Sequence, residues 1–345
     1  MKIYDALMKA VREKRFVLIK EKEIVTEAEL MEVLRGANEG ASKKNRKRRV
    51  IICDAYVQDI EKRGVKRRFG YMSDKLTVID HHSPERRFAK PVSATNLVIG
   101  YVKKYGPARS DTVVVTNHTD ADSLLSILIM LGILPADEGL FGRAAIAADH
   151  TGEPDAIADL LQAFKLQGNL ELSIKNLQHF LDGEPLEARA QELLDERHAE
   201  RRRAERIVEG GMLRTAGSVS YAVLPRSIDL ALISPLMPEA VIILTLTPRR
   251  TQPELSTVRM RVGTKWQGVV LLNELGIREI DDGFGCRFNT GSDRRAGRGT
   301  LLDAEKFAAL VDARVRAYVI KNGISMTNTS WSFLLRKFDT DGRFC

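Results

Sequence analysis

Cysteine is nearly absent: Cys53, Cys286 and Cys345 are the only three in 345 residues. Thiols so scattered support neither a disulfide framework nor a zinc ribbon. Long apolar runs are missing as well. The longest, Leu124 to Leu134 with its flanks, is far short of the about 18 to 20 residues that span a bilayer. Residues 1–23 alternate charged and apolar positions without the greasy stretch of a secretory signal. A cytoplasmic chain with no membrane partner is therefore expected. Aromatic residues make up only 6%, but 44% hydrophobic content is enough for two cores, and no internal repeat is present. Acidic residues are outnumbered, 46 against 54 basic, which gives a formal net charge of +8 and favours a polyanionic partner.

What the amino half does contain is a recurring pattern. Four apolar runs end in acidic or histidine side chains: Val50 to Cys53 into Asp54, Leu76 to Ile79 into Asp80-His81-His82, Thr112 to Thr116 into Asn117-His118-Thr119-Asp120-Ala121-Asp122, and Ala144 to Ala148 into Asp149-His150. Short apolar runs read as buried strands of a parallel sheet, and such sheets bind ligands beyond the carboxyl ends of their strands. The four endings are thus expected to meet at one site. Singly, each has a plainer role: Asp54 as the cap of a helix from Ala55, Asp122 as the cap of the Leu124 to Leu134 stretch. Four of the six histidines fall in these endings, however, and His with Asp suits Mn, Fe, Zn or Mg. A bridging carboxylate can hold two such ions roughly 3.5 to 4 Å apart, the arrangement that activates water for phosphoester hydrolysis.

Ile79-Asp80-His81-His82 after an apolar run resembles the naming motif of the DHH phosphoesterases, a family of RecJ-type exonucleases, oligoribonucleases, cyclic-dinucleotide phosphodiesterases and manganese-dependent pyrophosphatases. Ile52-Cys53-Asp54, Asp120-Ala121-Asp122-Ser123 and Asp149-His150-Thr151-Gly152 resemble its other metal motifs, and Ser93 through Gly106 resembles the helix that follows the two histidines. The resemblance implies that Asp54 bridges two Mn²⁺ ions, with Mg²⁺ the alternative. It implies that Asp120, with His118, holds one ion, and that Asp122, His81 and Asp149 hold the other. His82 and Asp80 become the catalytic pair, His82 facing the phosphate and Asp80 orienting a histidine; His150 has no assigned role. The paired-Asp motif stands third here, whereas the family places it first, so a rearranged sheet connectivity is expected.

A second resemblance lies in the carboxyl half. Gly283-Phe284-Gly285-Cys286-Arg287 and Gly291-Ser292-Asp293-Arg294-Arg295-Ala296-Gly297, after an expected strand at Thr257 to Val262, are similar to the Gly-rich turn of the DHH-associated domain. Gly285, Arg287, Gly291, Ser292, Arg294 and Arg295 would then bind substrate, with Ser292 where the family has a histidine. Glycines let backbone N–H groups approach an anion, and Arg forks grip phosphate.

The expected architecture is α/β: a parallel-sheet, Rossmann-like DHH domain over residues 1–154, a helical linker over 155–215 that includes a charged helix near Glu187 to Ile207, and a smaller α/β substrate-binding domain over 216–345. The expected function is hydrolysis of single-stranded or short oligonucleotides to nucleoside monophosphates by a two-metal-activated hydroxide. Cyclic dinucleotides, another small phosphoester or phosphoanhydride, and a non-catalytic nucleic-acid-binding role on the same fold are the alternatives. Nucleic acid or a nucleotide is the expected partner, with a homodimer as the possible assembly. The basic run Lys43 to Arg49 lies at the start of its strand, the end away from the metals, and the tail from Ile320 to Cys345, with Trp331 and Phe333, has no assigned role.

Overall fold

The computed structural model describes residues 2–19, 24–38, 48–81, 92–293 and 299–325. His82, Arg294, Arg295, residues 43–47 of the basic run and the tail beyond residue 325, with Trp331 and Phe333, lie outside them. The chain divides into two compact units. One takes the described residues up to Asp149 and Pro154–His198; the other takes His150–Glu153 and the described residues from Ala199 on.

The strands of the first unit are β1 (Phe16–Leu18), β2 (Ile24–Val25), β3 (Arg49–Cys53), β4 (Tyr56–Val57), β5 (Val65–Arg67), β6 (Gly70–Met72), β7 (Leu76–Ile79) and β8 (Thr112–Thr116). Six of them form one sheet in the order β1-β8-β3-β7-β6-β5. The first four run parallel, while β6 and β5 are antiparallel additions at one side. Register aligns the carboxyl ends of the central three strands: Cys53 pairs with Ile79, and Ile52 with Val115.

The apolar runs have no polar alternation because both faces of this sheet are covered. Ile51, Cys53 and Val114 pack into one core with the helices Ala94–Tyr105 and Ala121–Met130, while Val50, Ile52, Val113 and Val115 pack into another with the helix Glu27–Asn38. Three of the four runs are strands as expected. The fourth is not: residues Glu138 to Thr151 form one continuous helical stretch with π-type turns at both ends. Alanine is the best helix former, and Ala144-Ala145-Ile146-Ala147-Ala148 offers a single β-branched residue to favour a strand. Asp149 is thus delivered by a helix.

The charged segment forms the helix Ala188–Glu209, close to the span its spacing predicts. The second unit contains β9 (Arg214–Ala216), β10 (Val219–Val223), β11 (Ile242–Pro248), β12 (Ser256–Val262), β13 (Gly285–Cys286) and β14 (Thr290–Ser292) in the order β13-β14-β12-β11-β10-β9. Only β10 and β11 are parallel there. Its main core includes Leu244, Met260 and Val262 from the sheet with Phe307, Val311 and Val315 from the helix Ala304–Lys321. Both units are α/β, as the sequence predicts.

Candidate metal centre

The carboxyl ends of β3, β7 and β8 deliver Asp54, Asp80-His81 and Asn117-His118 to one edge of the first sheet. Asp54 does not cap a helix. Its φ is 56°, a left-handed conformation that Asp tolerates better than most residues, and its N–H donates to the Ile79 carbonyl at 3.0 Å. Strained backbone of this kind persists where surrounding structure over-determines it. The turn buries the carboxylate at 1% exposure between two histidines. His81 Nε2 lies 3.3 Å from Asp54 Oδ1, and His118 Nε2 lies 3.1 Å from Asp54 Oδ2. The two oxygens of one carboxylate face two different clusters.

Around Asp54 Oδ1 the cluster is Asp54, His81 and Asp122, with Asp149 beside it; His81 Nε2 is 3.6 Å from Asp122 Oδ2 and 3.5 Å from Asp149 Oδ2. Around Oδ2 it is Asp54, His118 and Asp120, with His118 Nε2 3.8 Å from Asp120 Oδ2. The ring of His118 is held through Nδ1 by the Asn117 side chain. Asp80 is buried at the end of β7, directly before His81. Two groups of side chains that could each hold a metal ion thus share one carboxylate, and hard oxygens mixed with imidazole nitrogen suit Mn²⁺, Mg²⁺, Zn²⁺ or Fe²⁺.

Helix starts fix Asp120 and Asp122. Asp120, not Asp122, caps the helix Ala121–Met130, accepting the Ser123 N–H at 3.1 Å, so Asp122 lies in the first turn and reaches across to the neighbouring helix. There its two oxygens accept the Ala94 N–H at 2.7 Å and the Thr95 N–H at 2.8 Å, while the Thr95 hydroxyl donates to the Asp122 carbonyl at 2.9 Å. Ser93 holds that helix start in place through a reciprocal capping box with Asn96. Ser123 is fully buried and donates its hydroxyl to Asp54 Oδ2 at 2.6 Å, fixing the shared carboxylate. Neither Ser123 nor Thr95 was singled out by residue type. Their signals are positional: one follows the paired Asp residues, the other sits at the second position of a capped helix.

Electrostatically the centre is strained by like charge. Burial, followed by the charge of Asp54, pushes the Asp122 carboxyl up to about 8, although His81 and the Thr95 hydrogen bond pull the other way. Burial lowers the affinity of His81 for a proton, but the hydrogen bond to Asp54 and the charges of Asp149, Asp122 and Asp54 win and raise it to about 10. In both cases a proton supplies positive character that a divalent cation would supply better.

The second unit holds the remaining expected residues. Gly285 and Ser292 face each other across the β13/β14 hairpin at the sheet edge, and Arg287 is exposed in its turn. A Cβ at Gly285 would make only an ordinary contact, 3.8 Å from the Ser292 carbonyl oxygen. Gly291 differs: a Cβ there would lie 2.5 Å from the Phe284 ring, so packing requires that glycine. His150, also in this unit, is buried, and its carbonyl accepts hydrogen bonds from Arg261 and Gln267, both at 2.7 Å.

No family model matches the chain, and no curated protein matches it. Among solved structures it is similar to the pGpG-specific phosphodiesterase PggH from Vibrio cholerae, with 12% identity, a TM-score of 0.34, and coverage of 80% of this chain and 98% of that one. A likeness that loose bears on neither the chemistry nor the substrate of the centre.

Proposed function

We propose that the chain is a metal-dependent phosphodiesterase of the DHH kind, hydrolysing single-stranded or short oligonucleotides to nucleoside monophosphates. The observation that carries this is Asp54, whose Oδ1 and Oδ2 each face a separate His and Asp cluster. Asp54 would be shared by two ions, with His118 and Asp120 on one side and His81, Asp122 and Asp149 on the other. When bound, Mn²⁺ ions would supply a water acidified toward neutral pH and charge to balance the phosphoryl oxygens. The chain's own residues hold that pair rigid. Ser123 and the helix start at Ala94 and Thr95 orient the carboxylates, and Asn117 fixes the imidazole of His118. Asp80 and His82 are the remaining proposed catalytic residues. In the second unit Gly285, Arg287, Gly291, Ser292, Arg294 and Arg295 bind substrate, Gly291 also serving the hairpin's packing.

A cleavage panel with Mn²⁺ tests this: a single-stranded 20-mer, the linear dinucleotides pApA and pGpG, cyclic di-AMP and pyrophosphate. Turnover of the 20-mer or the linear dinucleotides, lost in Asp54→Asn with folding intact, is the expected result. Activity confined to cyclic di-AMP or pyrophosphate would move the substrate class. Undiminished activity in Asp54→Asn would refute the assignment, and a protein that binds nucleic acid but takes up no Mn²⁺ would be a binding module.

A further inference from the structure

We propose that the tip of the β5/β6 hairpin is a phosphate-binding rail that holds the backbone of a single-stranded nucleic acid leading into the metal centre. The proposal rests on the phosphodiesterase reading and extends it to substrate length. Lys66, Arg67 and Arg68 are consecutive and exposed, and Arg67 and Arg68 make no ion pair among the described residues. Lys62, the other described lysine of this segment, is taken up by Asp59 at 2.6 Å. What gives the run meaning is register. β6 pairs antiparallel with β7, Gly70 standing opposite Ile79, and β5 pairs Arg67 with Gly70. Ile79 is the residue before Asp80 and His81, so the basic tip stands at the same end of the sheet as the metal ligands. Three strand spacings from β3 to β5 place it about 14 Å from Asp54 across the sheet.

Two features fasten the tip. Gly70 has φ +151°, and a Cβ there would lie 1.9 Å from the Val78 carbonyl oxygen, so the strands approach as only glycine permits. Phe69 turns inward and stands edge-on to Tyr101 with ring centroids 4.9 Å apart. Cations on a fastened turn lose little freedom on binding a phosphate, and two neighbouring guanidinium groups suit successive phosphates of one strand. Charge on an outer strand also discourages edge-to-edge association, but that service is indifferent to which end of the strand carries it.

The test is the charge reversal Arg67→Glu with Arg68→Glu, compared with Lys75→Glu with Arg109→Glu, which makes the same charge change at exposed positions before the starts of β7 and β8. Anisotropy of a labelled single-stranded 20-mer, with Ca²⁺ in place of Mn²⁺, reads binding without turnover. The tip variant should weaken binding by about tenfold or more and lower the salt slope of log K by roughly 1.4, the value for two lost single-strand phosphate contacts. With Mn²⁺, kcat/KM for the 20-mer should fall several-fold more than kcat/KM for a linear dinucleotide. No binding of the 20-mer by the unaltered protein, equal losses in the two variants, equal losses on both substrates, or a change only in self-association would each overturn the rail. Binding that is lost in the tip variant while no substrate is turned over by the unaltered protein would leave the rail standing and sink the enzymatic reading.

Discussion

The surroundings of Asp122 and His81 favour a proton on each side chain at neutral pH, and a metal ion bound there would have to displace it. Asp122, raised from 3.8 to about 8, contributes stability that is complete below about pH 4 and is lost as pH climbs through 8. His81, raised from 6.5 to about 10, contributes stability that is complete below about pH 6.5 and is lost as pH climbs toward 10. Both signs agree: metal-free protein loses stability with rising pH, and Mn²⁺ affinity gains. Calorimetric titration should show affinity rising between about pH 6 and pH 8.5, with protons released on binding. An affinity flat across that range would mean that the ions bind elsewhere. Glycine gives a second prediction at this scale. Gly152 has φ +72°, and a Cβ there would meet the Ala231 carbonyl oxygen at 1.7 Å. Gly152→Ala should therefore cost about 3 kcal/mol in denaturant unfolding. A cost below 1 kcal/mol would show that the turn relaxes freely.

Among elements, the helix Ala94–Tyr105 has the most to do with the centre, because its first two N–H groups seat Asp122. Ser93→Ala removes the capping box and should cost about 1 kcal/mol of stability. It should also weaken Mn²⁺ binding, since the N–H groups that orient Asp122 are left to fray. Equal loss of stability with unaltered metal affinity would separate the cap from the site. This coupling lies beyond the sequence pattern, which points to the helix and to Asp122 but not to the Thr95–Asp122 hydrogen bond, 27 residues apart in the chain. Strand identity was far more legible. Val50 to Cys53, Leu76 to Ile79 and Thr112 to Thr116 are dense in β-branched residues and covered on both sides, so pattern and packing agree. The Ala-rich run before Asp149 was not, because an apolar run bounded by polar residues fits strand and helix alike until composition decides. The basic hairpin was not legible as a site in the sequence; its place at the same end of the sheet as the centre is set by the antiparallel pairing of β6 with β7, a tertiary fact.

At the scale of the molecule, every ligand atom of the proposed metal pair comes from the first unit, while the second keeps a separate core around Leu244, Met260 and Phe307. Metal should therefore stabilise the chain unevenly. An ion that binds only the folded state adds about 2.7 kcal/mol at a free concentration one hundred times its dissociation constant, and the gain goes to the segments that must open for it to leave. Hydrogen exchange with and without Mn²⁺ should show protection rising in β3, β7, β8 and the helices Ala94–Tyr105 and Ala121–Met130, and remaining flat in β10, β11 and β12. Asp54→Asn should abolish the rise in all five elements together, because both clusters lose their common ligand. If that variant kept protection in the elements around His81 and lost it only around His118, the two clusters would be independent sites, and the shared carboxylate would not be the hinge of the chemistry.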